Sequence, residues 1–140
     1  MEQEIVCYLI DDDPDDQEIF GLGLNELNLP AKCFTADSCP DAIERLKNDP
    51  SFKPDYIFID LNMPRMGGRE CISELKKMAW LADIPLIIYS TSSELKDIRE
   101  THELGANYFL TKPFTVSILV KKLNDFFQKM KNNVPMDYQI

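Results

Sequence analysis

The sequence predicts an α/β fold, a doubly wound parallel sheet of five strands alternating with helices. Three observations carry this. Strand-like apolar runs alternate with stretches of helical periodicity along the whole chain. The first, third and fourth runs are apolar throughout, as strands covered on both faces are. Three runs also end abruptly in charge: Ile5–Ile10 before Asp11-Asp12-Asp13, Tyr56–Ile59 before Asp60, and Tyr108–Leu110 before Thr111-Lys112-Pro113. In an open parallel sheet the carboxyl ends of the strands share one edge, where ligands bind.

Taken in order, strands are predicted at 4–10, 32–35, 56–59, 86–89 and 108–110. The first helix follows from the stripe Ile19, Phe20, Gly23, Leu24 and Leu27, entered through Pro14, a residue suited to a first helical turn. The second strand, with Lys32 and Thr35, reads as an edge. Ser38, with Asp41 three positions on, is an N-cap for the second helix. Gly105 is expected to stop the helix before the fifth strand. Thr115 caps a last helix with the stripe Val116, Leu119, Val120, Leu123, Phe126 or Phe127, and Met130. Short connections and right-handed crossovers then favour the doubly wound sheet. Residues 1–131 form the domain, and 132–140, with Pro135 and few apolar residues, are expected to be a mobile tail.

With 140 residues, 44% hydrophobic and 28% charged, the chain supports one domain with a real core. No apolar run approaches the roughly 20 residues that span a bilayer. The acidic start Met1-Glu2-Gln3-Glu4 is unlike a signal peptide. A cytoplasmic protein is expected. The net charge of −9 argues against capture of nucleic acid or an anionic membrane. Cys7, Cys33, Cys39 and Cys71 show no C-x-x-C spacing and are expected to be reduced thiols.

The chemistry lies at the charged strand ends. Asp15 and Asp16 are explained by the positive end of the helix that they begin. Asp11 and Asp12 are not: carboxylates that converge repel one another and hold their protons more tightly unless a cation neutralises them. Oxygen ligands with no His or Cys nearby indicate a hard ion, Mg2+. Asp60, ending a buried strand, is a candidate nucleophile toward a phosphoryl group. Lys112 is expected to be anchored by Asp60 and to hold a phosphoryl oxygen as a point charge. The Lys112–Pro113 bond is a candidate cis peptide that would aim the lysine. Ser90, closing the fourth strand, offers a hydroxyl.

Leu9-Ile10-Asp11-Asp12-Asp13-Pro14, Ile59-Asp60-Leu61-Asn62-Met63-Pro64-Arg65-Met66-Gly67-Gly68, Ser90, Gly105-Ala106 and Lys112-Pro113-Phe114 together resemble the receiver domain of two-component response regulators. The resemblance runs from Glu4 to about Lys129, and it brings with it the flavodoxin-like strand order 2-1-3-4-5. It implies that Asp60 accepts a phosphoryl group from a histidine kinase or phosphotransfer protein. Asp12 and Asp60 would ligate Mg2+ directly, Asp11 through water, and Asn62 through its backbone carbonyl. Ser90 and Lys112 would contact the phosphoryl group, and Phe109 takes the aromatic switch position. The readout face, formed by the fourth helix, fifth strand and fifth helix, would meet a downstream protein. Thr91 stands where the family usually has a small residue, and Phe109 lacks the phenolic hydroxyl of other members. Leu22, off the apolar stripe of the first helix, is a candidate kinase-docking residue, and His102 reads as structural.

With no output domain after the last helix, a stand-alone receiver is expected, catalysing only its own phosphorylation and slow dephosphorylation. The alternative is the same fold acting as a phosphorylation-independent binding module. An aspartyl phosphatase would place a second acid two residues after its nucleophile, where this chain has Asn62. A flavodoxin would need a phosphate-cradling loop where this chain has aspartates.

Overall fold

Each apolar run becomes a strand and each stripe a helix in the computed structural model, which describes residues 3–140. The acidic start at Met1-Glu2 lies outside the described residues. The elements are β1 (Ile5–Ile10), α1 (Pro14–Asn25), β2 (Ala31–Ala36), α2 (Cys39–Asn48), β3 (Tyr56–Ile59), α3 (Gly68–Lys76), a 3-10 turn (Ala79–Leu81), β4 (Leu86–Ser90), α4 (Leu95–Glu103), β5 (Tyr108–Thr111) and α5 (Val116–Lys131). The five strands are parallel, in the order β2-β1-β3-β4-β5.

Burial follows the apolar pattern. All five residues of β4 are buried, whereas β2 is half open, as an edge strand is. One sheet face carries Tyr8, Ile10, Ile57, Ile59, Ile88 and Phe109 beneath α2, α3 and α4. The other carries Leu9, Phe58, Ile87, Tyr89 and Leu110 beneath α1 and α5. On α1 the buried residues are Phe20, Gly23 and Leu24; Ile19 is 39% exposed and falls off the predicted stripe. Both Phe126 and Phe127 of α5 are buried. Ser38 and Thr115 cap α2 and α5 as expected, their hydroxyls accepting from the amides of Asp41 and Ile118. Gly105, at φ +106°, takes the left-handed conformation that ends α4.

Three expectations are corrected. Cys39 and Cys71 are paired in a disulfide with Cα atoms 5.8 Å apart, because the first turn of α2 lies against α3; Cys7 and Cys33 are free. Among the described residues no peptide bond is cis, Lys112–Pro113 included. Lys112 is aimed instead by β5, its amide donating to the Ser90 carbonyl at 2.7 Å. The segment after α5 is packed rather than loose. Gln139 bridges to Phe109 at the open edge of β5, and Tyr138 packs against the α4 side of the core.

Candidate functional site at the carboxyl edge of the sheet

The strand order places the ends of β1, β3, β4 and β5 side by side, which brings Asp11, Asp60, Ser90 and Lys112 to one edge. Asp11 and Asp60 are almost fully buried and Asp12 is exposed. Carboxylate oxygens of the three lie within 4.8 Å of one another. That clustering suits a divalent cation held by oxygen atoms. The backbone around the cluster is fixed by its own hydrogen bonds. Asp11 accepts from the Asp13 amide at 2.9 Å, and Asp13 caps α1 by accepting from the Asp15 amide at 2.9 Å. The Gln17 side-chain Nε2 donates to the Asp11 carbonyl and to the Asp37 carboxylate, tying the loops after β1 and β2 together.

Lys112 reaches into the same crevice, but not toward the partner expected. Its Nζ donates to Asp11 at 2.9 Å and to Asp16 at 2.7 Å, while Asp60 stands 3.7 Å away. An ammonium with an 8% exposed side chain needs two short carboxylate contacts to offset its desolvation, and Asp11 and Asp16 supply them. Asp60 is thereby left without a short bond to a cation. Asp16 is the site residue that the sequence did not reveal. Its position in a first helical turn already had a sufficient explanation, and only the reach of Lys112 from the end of β5 to the start of α1 shows its second one.

The electrostatics follow from burial and crowding. Desolvation dominates at Asp60 and, with the charges of Asp11 and Asp12, raises it to about 6 against the opposing pull of Lys112 and the Asn62 amide. Desolvation also raises Asp11, although its bonds to the Asp13 amide and Lys112 oppose the shift. For Lys112, burial favours the neutral form, but the bonds to Asp16 and Asp11 outweigh it and the ammonium is stabilised. A metal-free site therefore holds its lysine charged and its central aspartate close to protonation.

Of the remaining predicted residues, Asn62 and Ser90 line the same edge, with Thr91 next to Ser90, and the others lie away from it. The Asn62 amide makes a long 3.4 Å bond to Asp60, which leaves its carbonyl in the adjoining loop. Ser90 is fully buried, and its hydroxyl accepts from the Ser92 amide at 3.2 Å. Phe109 is fully buried, facing into the core. Thr91 is exposed beside Ser90, and Leu22 is 50% exposed on α1. His102 lies on α4, stacked on Tyr138 at 4.2 Å, away from the acidic crevice. A second network, not legible in the sequence, continues outward from Ser90. Ser92 hydrogen-bonds Asp97, and Asp97 and Glu100 of α4 are both held by Arg69 of α3. The groove of about 540 Å³ beside Trp80 and Pro54 lies at the opposite, amino-terminal end of the strands and belongs to none of this.

Comparisons agree with this geometry. A family model described as the response regulator receiver domain matches residues 7–124. The transcriptional regulatory protein PrrA of Mycobacterium leprae is 30% identical over 121 residues, covering 86% of this chain and 49% of PrrA. The response regulator Rcp1 of Synechocystis sp. is 36% identical over 69 residues, covering 49% of this chain and 47% of Rcp1. These matches thus span about half the length of the curated relatives. The crystal structure of the phosphorylated cyanobacterial phytochrome response regulator RcpA superposes with a TM-score of 0.82 at 25% identity, covering 95% of this chain and 98% of that one. The Mn2+-bound form of response regulator Rcp1 gives 0.78 at 25% identity, covering 95% and 99%.

Proposed function

Because the chain belongs to the response regulator receiver family, we propose that it takes a phosphoryl group onto Asp60 from a phosphohistidine of a histidine kinase or phosphotransfer protein. The observation that carries this reading is the convergence of three carboxylates within 4.8 Å beside a buried lysine that spares Asp60 for chemistry. The relative RcpA in its phosphorylated form and the Mn2+-bound form of Rcp1 support an acceptor and a divalent cation in this arrangement.

In the transfer, an Asp60 oxygen attacks phosphorus as the P–N bond breaks. The electron pair stays on the imidazole nitrogen, which is protonated from solvent. Asp11, Asp12, Asp60 and the Asn62 carbonyl would hold Mg2+, which supplies positive charge against the phosphoryl oxygens. Lys112 holds its charge at the crevice, ready to meet a phosphoryl oxygen, and Ser90 offers its hydroxyl to another. The product adds about −1.5 to −2 charge to a site already acidic. Lys112 and Ser90 move toward it, and the loop after β4 follows. The readout is a changed α4–β5–α5 face, which binds a downstream protein in the cytoplasm. Beyond its own phosphorylation and slow hydrolysis the chain catalyses nothing.

Phosphoramidate, a small donor with the same P–N bond, tests this. With Mg2+ it should shift the protein on a phosphate-affinity gel, and the shift should vanish when EDTA replaces Mg2+. A folded protein that shows no shift with Mg2+ present would remove the phosphoacceptor reading.

A further inference from the structure

After α5 the chain reverses through Asn133, at φ +56°, with the Val134 amide bonded to the Lys129 carbonyl at 2.9 Å. It then runs back along the open edge of β5. The Phe109 amide donates to the Tyr138 carbonyl at 2.8 Å, and the Ile140 amide donates to the Phe109 carbonyl at 3.0 Å. Gln139 forms a parallel bridge to Phe109, a sixth strand reduced to one residue. The Tyr138 hydroxyl is 2.6 Å from that of Thr101 in α4, and the Tyr138 ring stacks on His102. Met136 and Ile140 pack on the α1/α5 side of the core and Tyr138 on the α4 side, so the segment straddles the sheet edge.

Two routes join this segment to the acidic site. Phe109, which supplies both backbone bonds, lies opposite Ile88 on β4, two residues before Ser90. Thr101, which meets Tyr138, belongs to the helix whose first turn is tied through Asp97 and Ser92 to the Ser90 hydroxyl. A segment this short opposes its ordering entropy with few interactions.

We propose that residues 134–140 are an intramolecular latch over the α4–β5 edge, closed on the unphosphorylated site and opened when the phosphoryl group draws Ser90 away from Ser92. Opening frees the backbone edge of β5 for a partner that adds a strand there. The segment pairs with Phe109 of its own chain, and the turn at residues 132–134 that returns it there is itself bonded to the end of α5. The opening step rests on the phosphoacceptor reading above.

Hydrogen exchange of the full chain tests it at two amides, Phe109 and Ile140, with Mg2+ and beryllofluoride as the phosphoryl mimic and 19F spectra reporting its binding. In the wild type both amides are protected without the mimic, and exchange rises by about tenfold or more with it. In Tyr138→Ala both exchange rapidly from the start, and by reciprocity beryllofluoride binds about fivefold more tightly. Rapid exchange in the unliganded wild type would overturn the latch. So would protection that persists with beryllofluoride bound, or protection lost on dilution, which would assign the segment to a second copy. A wild type that binds no beryllofluoride would overturn the phosphoacceptor reading and the opening step together. That failure is told apart by the 19F spectrum.

Discussion

At the scale of single residues, Lys112 and Asp60 have different partners, and each leads to a prediction. Lys112 neutralises Asp11, which has no exposure of its own. Lys112→Met leaves that carboxylate buried without a cation, and the expected loss is about 3 kcal/mol in a metal-free denaturant titration. Added Mg2+ should recover part of it, since the ion brings charge to the same oxygens. Asp60 carries the opposite sign. Its folded pKa of about 6 exceeds the roughly 3.9 of an unfolded chain, so the protonated form favours the fold. That contribution is complete below about pH 4 and is lost as the pH rises through about 6. Asp60→Asn never acquires the charge, so its stability advantage over the wild type should grow from about pH 4 to pH 7 and shrink with Mg2+. Thermal unfolding across that range, with and without the ion, measures both effects. Asp11, Asp12, Asp60 and Lys112 were legible in the sequence because strand ends in a parallel sheet must meet. The anchoring of Lys112 by Asp16 was not, because a carboxylate in a first helical turn satisfies a local rule and gives no sign of a distant partner.

At the scale of elements, the Asp60 loop is held by the start of α3. A Cβ at Gly68 would stand 2.7 Å from the Leu61 Cα and 2.8 Å from the Asp60 carbonyl, both backbone atoms that cannot rotate away. Gly68→Ala is therefore expected to cost about 1–3 kcal/mol and to displace the Asp60 loop. Chemical denaturation gives the first effect, and a weaker Mg2+ affinity by fluorescence or calorimetry gives the second. The strands were legible to within about a residue, because fully apolar runs have one stable use in a sheet covered on both sides. The final segment was misjudged because Pro135 and the polar residues around it masked three apolar residues, Met136, Tyr138 and Ile140, which pack on both sides of the sheet edge and so follow no strand period. One bridged residue is too short for periodicity to reveal. The Lys112–Pro113 bond is trans, and the backbone of Lys112 is placed instead by its amide bond to the Ser90 carbonyl.

At the scale of the whole molecule, the α2/α3 face differs from expectation through the Cys39–Cys71 bridge. A separation of 32 residues hides such a pair from spacing rules, and only the packing of α2 against α3 brings the two together. Closing a loop of that length should contribute roughly 3–4 kcal/mol in the chain-entropy account. Equilibrium unfolding with and without a phosphine reductant should show a difference in unfolding free energy of that size, and equal values would mean that the bridge contributes nothing. The acidic edge lies across the ends of four strands and the latch along the side of β5, so the sheet itself joins the two. The proposed switch would act through this buried, close-packed sheet.

The most direct measurement traps the acyl phosphate. After incubation with Mg2+ and acetyl phosphate, borohydride reduction converts a phosphorylated aspartate to homoserine, and peptide mass spectrometry locates it. Conversion is predicted at Asp60 alone, dependent on Mg2+ and absent from Asp60→Asn. Conversion at Asp11, Asp12 or Asp16 instead, or none in a folded protein, would contradict it.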